Sequence, residues 1–226
     1  MTIYFSATGN CKHTAKVLAQ KTEDEAKSIL EFMNGREKAD FRDENRLGII
    51  APTYGWRLPS IVREFIQNTE ITVSENTYVY FVSTYGTSPG ATVHEMRRLL
   101  REKNIEIDSV YSIRMPDTWT PIFNLSDARK VEAINAAAES EIAQTAESIL
   151  AGDRRKCMKR QLPAFTLAIA AMVYDGMRRT ANLYVESNCT GCGLCERKCP
   201  VKAIEIKDGR PVWIKLQCTM CLGCLH

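Results

Sequence analysis

The sequence predicts an α/β protein: a doubly wound, five-stranded parallel sheet over the first two thirds, joined to a small α+β unit. Three observations carry this. Apolar strand-like runs alternate with helix-like patterns over residues 1–150. Loops rich in glycine, proline, hydroxyl and aromatic residues follow the first, third and fourth of those strands. Seven of the nine cysteines fall between 189 and 224, in a stretch too short to bury a core of its own.

The elements follow in order. Thr2–Phe5 reads as a strand running into SATGN, and Cys11–Gln20 as a helix. Ser28–Phe32 is a weak second strand. Leu47–Ala51 (LGIIA) is a buried strand, followed by a Pro/Gly/aromatic loop and a helix, Leu58–Asn68. Thr77–Thr84 (TYVYFVST) is the clearest strand, and a helix over Ala91–Lys103 follows its loop. Ile105–Met115 is a fifth strand, and Ser126–Leu150 a long Ala/Glu-rich helix begun by Ser126. Such alternation builds a sheet covered on both faces, with the loops after the strands along one edge. The expected units are 1–152, a helical connector 153–183 and a cysteine-rich unit 184–226.

Composition bounds the function. The chain has 226 residues, 45% hydrophobic and 25% charged, ordinary for a globular protein. Its most apolar run, Leu162–Tyr174, contains Pro163 and falls short of the ~18–20 residues that span a bilayer. It reads as a helix that is buried or lies on a surface. MTIYFSATGN lacks the regions of a secretory signal, so the expected location is cytoplasmic, with thiols reduced. Residues 151–226 carry 13 Lys+Arg against 6 Asp+Glu, whereas residues 1–150 carry 17 against 21.

The cysteines form two runs, CTGCGLCERKCP (189–200) and CTMCLGCLH (218–226). An odd count, regular spacing and a reducing compartment argue against disulfides and for a metal site. Thiolates suit iron–sulfur clusters, zinc and copper(I). Cys-x-x-Cys-x-x-Cys wraps a cubane, and a fourth cysteine after three intervening residues, followed by proline, points away from it. Zinc sites more often use two separated Cys-x₂-Cys pairs, and a zinc or purely structural cysteine cluster is the alternative.

The runs resemble those of bacterial two-cluster ferredoxins, and Val201–Ile206 and Arg210–Ile214, joined by Asp208-Gly209, resemble the strands that cover the clusters. The resemblance implies two [4Fe–4S] clusters. Cys189, Cys192 and Cys195 would hold one, and Cys218, Cys221 and Cys224 the other, together with Cys199. The first then lacks its fourth cysteine, which the pattern places two residues beyond His226. Leu225-His226 matches the lead-in to it, so the expectation is a sequence cut just short. Otherwise one cluster is three-iron, differently ligated or absent. Eight thiolates and two cluster cores sum to about −4, which the basic residues nearby offset. No nucleic-acid partner is therefore needed to explain the basic third. The run Arg154–Arg160 reads as a solvated face, and Cys157 carries no assigned role.

Ser6-Ala7-Thr8-Gly9-Asn10-Cys11 lies between a strand and a helix, where backbone N–H groups and the helix dipole favour an anion. It is neither a P-loop nor a GxGxxG motif. Taken alone it could be a tight turn with a capped helix. It resembles the flavodoxin phosphate loop, with Cys11 in place of the last hydroxyl residue. Two more loops, Pro52-Thr53-Tyr54-Gly55-Trp56-Arg57-Leu58-Pro59 and Thr84-Tyr85-Gly86-Thr87-Ser88-Pro89-Gly90, follow later strands at the edge where doubly wound folds bind ligands. In flavodoxins the corresponding loops hold the isoalloxazine ring, often between aromatics. The resemblance implies FMN, with Tyr54, Trp56 and Tyr85 as candidate stacking residues. Each could instead be a packing aromatic. Trp119, in MPDTWTP, reads as cover for the sheet edge, and His13 and His94 as surface residues.

Together the two parts resemble flavodoxin–ferredoxin fusion proteins of anaerobic prokaryotes. That resemblance implies electron transfer between [4Fe–4S] clusters and FMN, linking one-electron carriers to a second redox partner protein or a small acceptor. One alternative is a flavin-dependent reductase of an acceptor such as a quinone; another is a non-redox zinc module with an empty flavodoxin-like fold. No Ser/His/Asp or Cys/His constellation and no second Gly-rich motif is visible, which disfavours hydrolytic chemistry and direct nicotinamide reduction.

Overall fold

The computed structural model describes residues 1–154, 158 and 161–225. The elements are β1 (Thr2–Tyr4), α1 (Asn10–Thr22), β2 (Ala26–Ser28), α2 (Ile29–Met33), β3 (Asp40–Phe41), β4 (Arg46–Pro52), α3 (Ser60–Asn68), β5 (Thr72–Val73), β6 (Tyr78–Tyr85), α4 (Thr92–Arg101), β7 (Ser109–Arg114), α5 (Ala128–Leu150), α6 (Thr166–Met177), α7 (Leu194–Lys198), β8 (Ile204–Lys207) and β9 (Arg210–Trp213). A short 3₁₀ turn at Thr180–Asn182 follows α6.

Five strands form one parallel sheet in the order β2-β1-β4-β6-β7. Alternation along the strands supplies both of its faces. Leu47, Ile49 and Ala51 of β4 and Val79 and Phe81 of β6 enter one apolar layer with α3 and α4. Ile50 of β4 and Tyr78, Tyr80 and Val82 of β6 enter the other, with α1 and α5. Gly48 pairs with Tyr80, and a Cβ there would collide with the Tyr80 ring, whose hydroxyl meets Thr2 Oγ1 at 2.9 Å. The chain leaves β1 toward β2 and returns to the other side as β4, so the strand order reverses there. That reversal opens a crevice at the carboxyl edge of the sheet.

The expected strand Ser28–Phe32 is corrected: only Ser28 belongs to a strand, and Ile29–Met33 is a helix. Leu30 N–H donates to Ser28 Oγ at 3.3 Å and Ser28 N–H to Glu31 Oε1 at 3.0 Å, a reciprocal cap that favours helix over strand. The fifth strand begins at Ser109 rather than Ile105; Ile105 and Ile107 are buried in the approach to it. Asp127, not Ser126, caps α5, accepting from Lys130 N–H at 3.1 Å. The parallel pair β3–β5 lies outside the expected elements.

Beyond α5, Cys157 and most of the basic run 154–160 lie outside the described residues. Helix α6 realises the apolar segment on the surface: Ala170 and Tyr174 are buried, whereas Phe165, Ile169 and Met172 are exposed. Strands β8 and β9 pair antiparallel across Asp208-Gly209, both at positive φ as a two-residue type I′ turn requires. Among the described residues no helix is long and apolar enough to cross a membrane.

Candidate functional site

The crevice at the sheet edge is a cleft of about 350 Å³. Its walls come from the loops after β1, β4, β6 and β7, together with α6 and the second cysteine run. Of the loop residues expected at a flavin site, Ser6, Thr8, Asn10, Cys11, Pro52, Thr53, Tyr54, Gly55, Trp56, Thr84, Tyr85, Gly86 and Thr87 line it. Gly9 and Gly90 stand behind the wall. Gly9 takes φ +110° at the N-cap of α1, where no side chain caps the helix. Gly90, at φ +60°, lets the chain pass under Trp56: a Cβ there would strike the Trp56 backbone, and Ala91 N–H donates to Trp56 O at 2.8 Å.

The first loop presents backbone rather than side chains. Ser6 Oγ accepts from Gly9 N–H at 3.2 Å, Thr8 Oγ1 meets Thr118 Oγ1 at 2.9 Å, and Asn10 Nδ2 donates to Pro116 O at 2.9 Å. The last two bonds tie the loop to the one after β7. The uncapped first turn of α1 keeps its N–H groups and dipole available to an anion. The Cys11 thiol turns into the core and meets Thr84 Oγ1 at 3.0 Å; burial pushes its pKa up to about 12, so it stays a neutral thiol.

Tyr54, Gly55, Trp56 and Arg57 form a tight turn closed by Tyr54 N–H to Arg57 O at 2.9 Å and the reverse bond at 3.2 Å. Gly55 and Trp56 take φ +54° and +63°. The left-handed Trp56 costs on the order of 1 kcal/mol. What holds it is a buried anchor: Glu95 of α4 ion-pairs with Arg57 and accepts from Leu58 N–H at 2.9 Å. Trp56 is thereby presented at 45% exposure beside the cleft.

The loop after β7 contributes more than its sequence suggests. Asp117 and Trp119 both line the cleft, so Trp119 belongs to the site wall and not merely to the sheet edge. Among the described residues its buried indole N–H has no hydrogen-bond partner, which leaves that donor for a bound molecule. Burial raises the Asp117 carboxyl above its ordinary pKa, opposed by the hydrogen bond from Trp119 N–H. Size, orphan donor, aromatic walls and uncapped helix end together fit a flavin mononucleotide. His13 and His94 lie off the cleft; the exposed His13 ring reaches Glu139 at 2.5 Å.

A second cavity, of about 80 Å³, is lined by Cys199, Cys218, Cys221 and Cys224, with Leu183, Trp213 and Met220 among its apolar neighbours. These are the four cysteines that the ferredoxin resemblance groups together. Backbone N–H groups meet the sulfurs, Ala203 N–H to Cys199 Sγ and Met220 N–H to Cys218 Sγ, both at 3.2 Å. Such bonds favour thiolate, while burial pushes the Cys221 thiol up to about 12. Among the described residues no three ligand side chains converge on a point suited to one metal ion. Four cysteines line one cavity, two of them with backbone N–H groups on their sulfurs, the soft donors that an iron–sulfur cluster takes. The donor set fits an iron–sulfur cluster.

The two runs share one backbone pattern. Gly191 and Gly193 take φ +69° and +71° around Cys192, and Met220 and Leu222 take φ +53° and +55° around Cys221. Alternating left-handed residues of this kind turn successive N–H groups toward an anionic centre. In the first run Cys192 is exposed, and the Leu194 N–H, then the Thr190 hydroxyl, hold its thiol below the ordinary range. Cys189 and Cys195 are half-buried.

Comparison with known proteins agrees with both halves. The flavodoxin domain model matches residues 1–144, and the 4Fe-4S binding domain model matches residues 183–205. Over 39 residues, 17% of its length, the chain is 46% identical to the "Ferredoxin-like protein in nif region" of Sinorhizobium fredii (strain NBRC 101917 / NGR234). It spans 61% of that relative's length. Among solved structures, a flavodoxin from the domain Archaea is 13% identical, over 65% of this chain and 96% of that one, with a TM-score of 0.39. The two-electron reduced flavodoxin of Megasphaera elsdenii is 17% identical, over 64% and 96%, with a TM-score of 0.39. A parallel sheet in this strand order, a cleft at its switch point and a matched domain over more than half the length have one reading: the chain belongs to the flavodoxin domain family and carries a 4Fe-4S ferredoxin motif at its C-terminal side.

Proposed function

We propose that the protein is a flavo-iron–sulfur electron carrier that passes electrons between [4Fe–4S] clusters and FMN, linking one-electron carriers to a second redox partner. The observation that carries this is the adjacency of the two cavities, since Cys221 lines both. Residues 1–152 would form the FMN unit, 153–183 the connector and 184–226 the cluster unit. The first turn of α1 would receive the FMN phosphate, with Tyr54, Trp56 and Tyr85 against the ring and Trp119 N–H satisfied by a flavin polar atom. Cys199, Cys218, Cys221 and Cys224 would hold one cluster, and Cys189, Cys192 and Cys195 would contribute to a second. A flavin holds one or two electrons and a cluster passes one, so the pair converts between the two kinds of carrier. The residues bind, orient and exclude water; none is assigned proton transfer.

A second reading, reduction of a small acceptor such as a quinone at the flavin, draws on the apolar mouth of the cleft, where Trp56 and Ile122 are 45% and 67% exposed. Anaerobically purified protein should show a brown spectrum, FMN at one per chain and iron above four per chain. Material that takes up neither FMN nor iron when both are supplied overturns the proposal. Turnover of a quinone by the dithionite-reduced protein, without a partner protein, would favour the second reading.

A further inference from the structure

Met220, Cys221 and Leu222 line the flavin-sized cleft and the four-cysteine cavity at once, forming a partition one chain thick. The next residue, Gly223, lies against Ala7 of the first loop: a Cβ there would stand 3.6 Å from the Ala7 carbonyl oxygen. We propose that Cys221 is the contact through which a cluster in that cavity exchanges electrons with the flavin, and that Tyr174 is the positioning residue that fixes this contact. The inference rests on the function proposed above.

Tyr174 projects from α6 and is fully buried. Its hydroxyl donates to Thr219 O at 2.6 Å and accepts from Ser60 N–H at 3.2 Å, while Ser60 Oγ donates to Thr219 Oγ1 at 3.2 Å. One phenol thus joins the first turn of α3 to the second cysteine run. The Arg178 guanidinium lies 5.6 Å from the ring centroid and donates through Nε to Cys218 O at 2.7 Å. On the cleft side the ring abuts Gly55: a Cβ there would come within 3.0 Å of Tyr174 Cβ. Connector, aromatic turn and cysteine run therefore meet on a single side chain, which sets the distance between the cavities.

With both groups bound, a reduced [4Fe–4S] cluster held by Cys199, Cys218, Cys221 and Cys224 would give up one electron per transfer, and the flavin would take up two electrons with two protons from solvent. The electrons enter from a one-electron carrier, for which a photoreductant stands in experimentally.

The test compares holo wild type with Tyr174→Phe, which keeps the ring and removes the hydroxyl. After flash reduction of the cluster, its reoxidation and the bleaching of flavin absorbance give the internal transfer rate. Amide exchange at 219–222 reports the fit of the cysteine run. The expected result is unchanged FMN and iron content, faster exchange at those amides, and internal transfer slowed several-fold. If the variant loses iron or FMN, Thr219→Val replaces it: it keeps the bond to Thr219 O and removes the side-chain contacts to Tyr174 at 3.3 Å and to Ser60 at 3.2 Å, so the same changes should appear at smaller size. An unchanged transfer rate in a fully loaded variant overturns the inference while leaving the proposed function standing. Wild type that binds neither cofactor overturns both.

Discussion

The two halves of this molecule are held together by different physics. The sheet unit buries two continuous apolar layers, with Phe5, Phe65, Tyr80 and Phe81 almost fully removed from water. Among the described residues after Asn182, the apolar side chains that are buried are Ala203, Ile204 and Leu222, while Tyr184 and Leu216 stand at 80% and 91% exposure. The first half carries its own driving force; the second, with so little buried, would draw order from a bound cluster and from its docking against the first. Affinity for metal is then part of the folding free energy of the second half alone.

The largest effect should come from stripping iron. Anaerobic chelation should abolish amide protection across 189–225 while β1, β4 and β6 stay protected; simultaneous loss in both halves would contradict the asymmetry. Next, Phe81→Ala, in the centre of the sheet, should cost about 3–5 kcal/mol in urea unfolding. It should also release the cysteine unit, because its docking surface goes with the sheet.

A smaller effect separates the two cysteine runs. Gly191→Ala places a Cβ against the Gly209 carbonyl at φ +69°, so it should lower iron retention and cost on the order of 1–2 kcal/mol. Met220→Gly, at the matching position, should relieve strain yet weaken FMN binding by thinning the cleft wall. Equal and opposite effects at the two sites on iron alone would mean that Met220 serves only the cysteines.

The smallest effect belongs to the sheet half. Burial opposes the Asp24 charge, but Arg46 Nε at 3.2 Å and Thr22 Oγ1 at 2.7 Å outweigh it and hold the carboxyl below its ordinary value. A depressed native pKa stabilises above the unfolded value of ~3.9, and that contribution is lost as pH falls through the native one. Asp24→Asn should therefore lower stability at neutral pH and flatten its decline in acid. A parallel acid profile in the variant would remove Asp24 from the account.

Local signals in the sequence carried most of this architecture. Strand β6 is apolar throughout and flanked by turn residues, and it is legible without tertiary context. Ser28–Phe32 misled because its apolar residues suit either a strand or a short helix; the Ser28-x-x-Glu31 cap decides it for the helix. The loops after β1, β4 and β6 were legible because backbone chemistry concentrates small and aromatic residues there. Tyr174 was not: its two hydrogen-bond partners lie 45 and 114 residues away. No periodicity marks such a residue, and only the folded chain reveals its role. Trp119 was visible as a tryptophan between prolines, but its orphan N–H depends on burial that no local pattern encodes.

The thin partition at 220–222 has an electrostatic corollary. Were redox centres bound on either side of Cys221, with only Met220, Cys221 and Leu222 between them, each would feel the other's charge. An electron resting on one raises the energy of the next electron on the other, and by thermodynamic reciprocity the penalty is mutual. The midpoint of each centre should therefore depend on the filling of its neighbour, so that the loaded chain titrates as a single interacting pair.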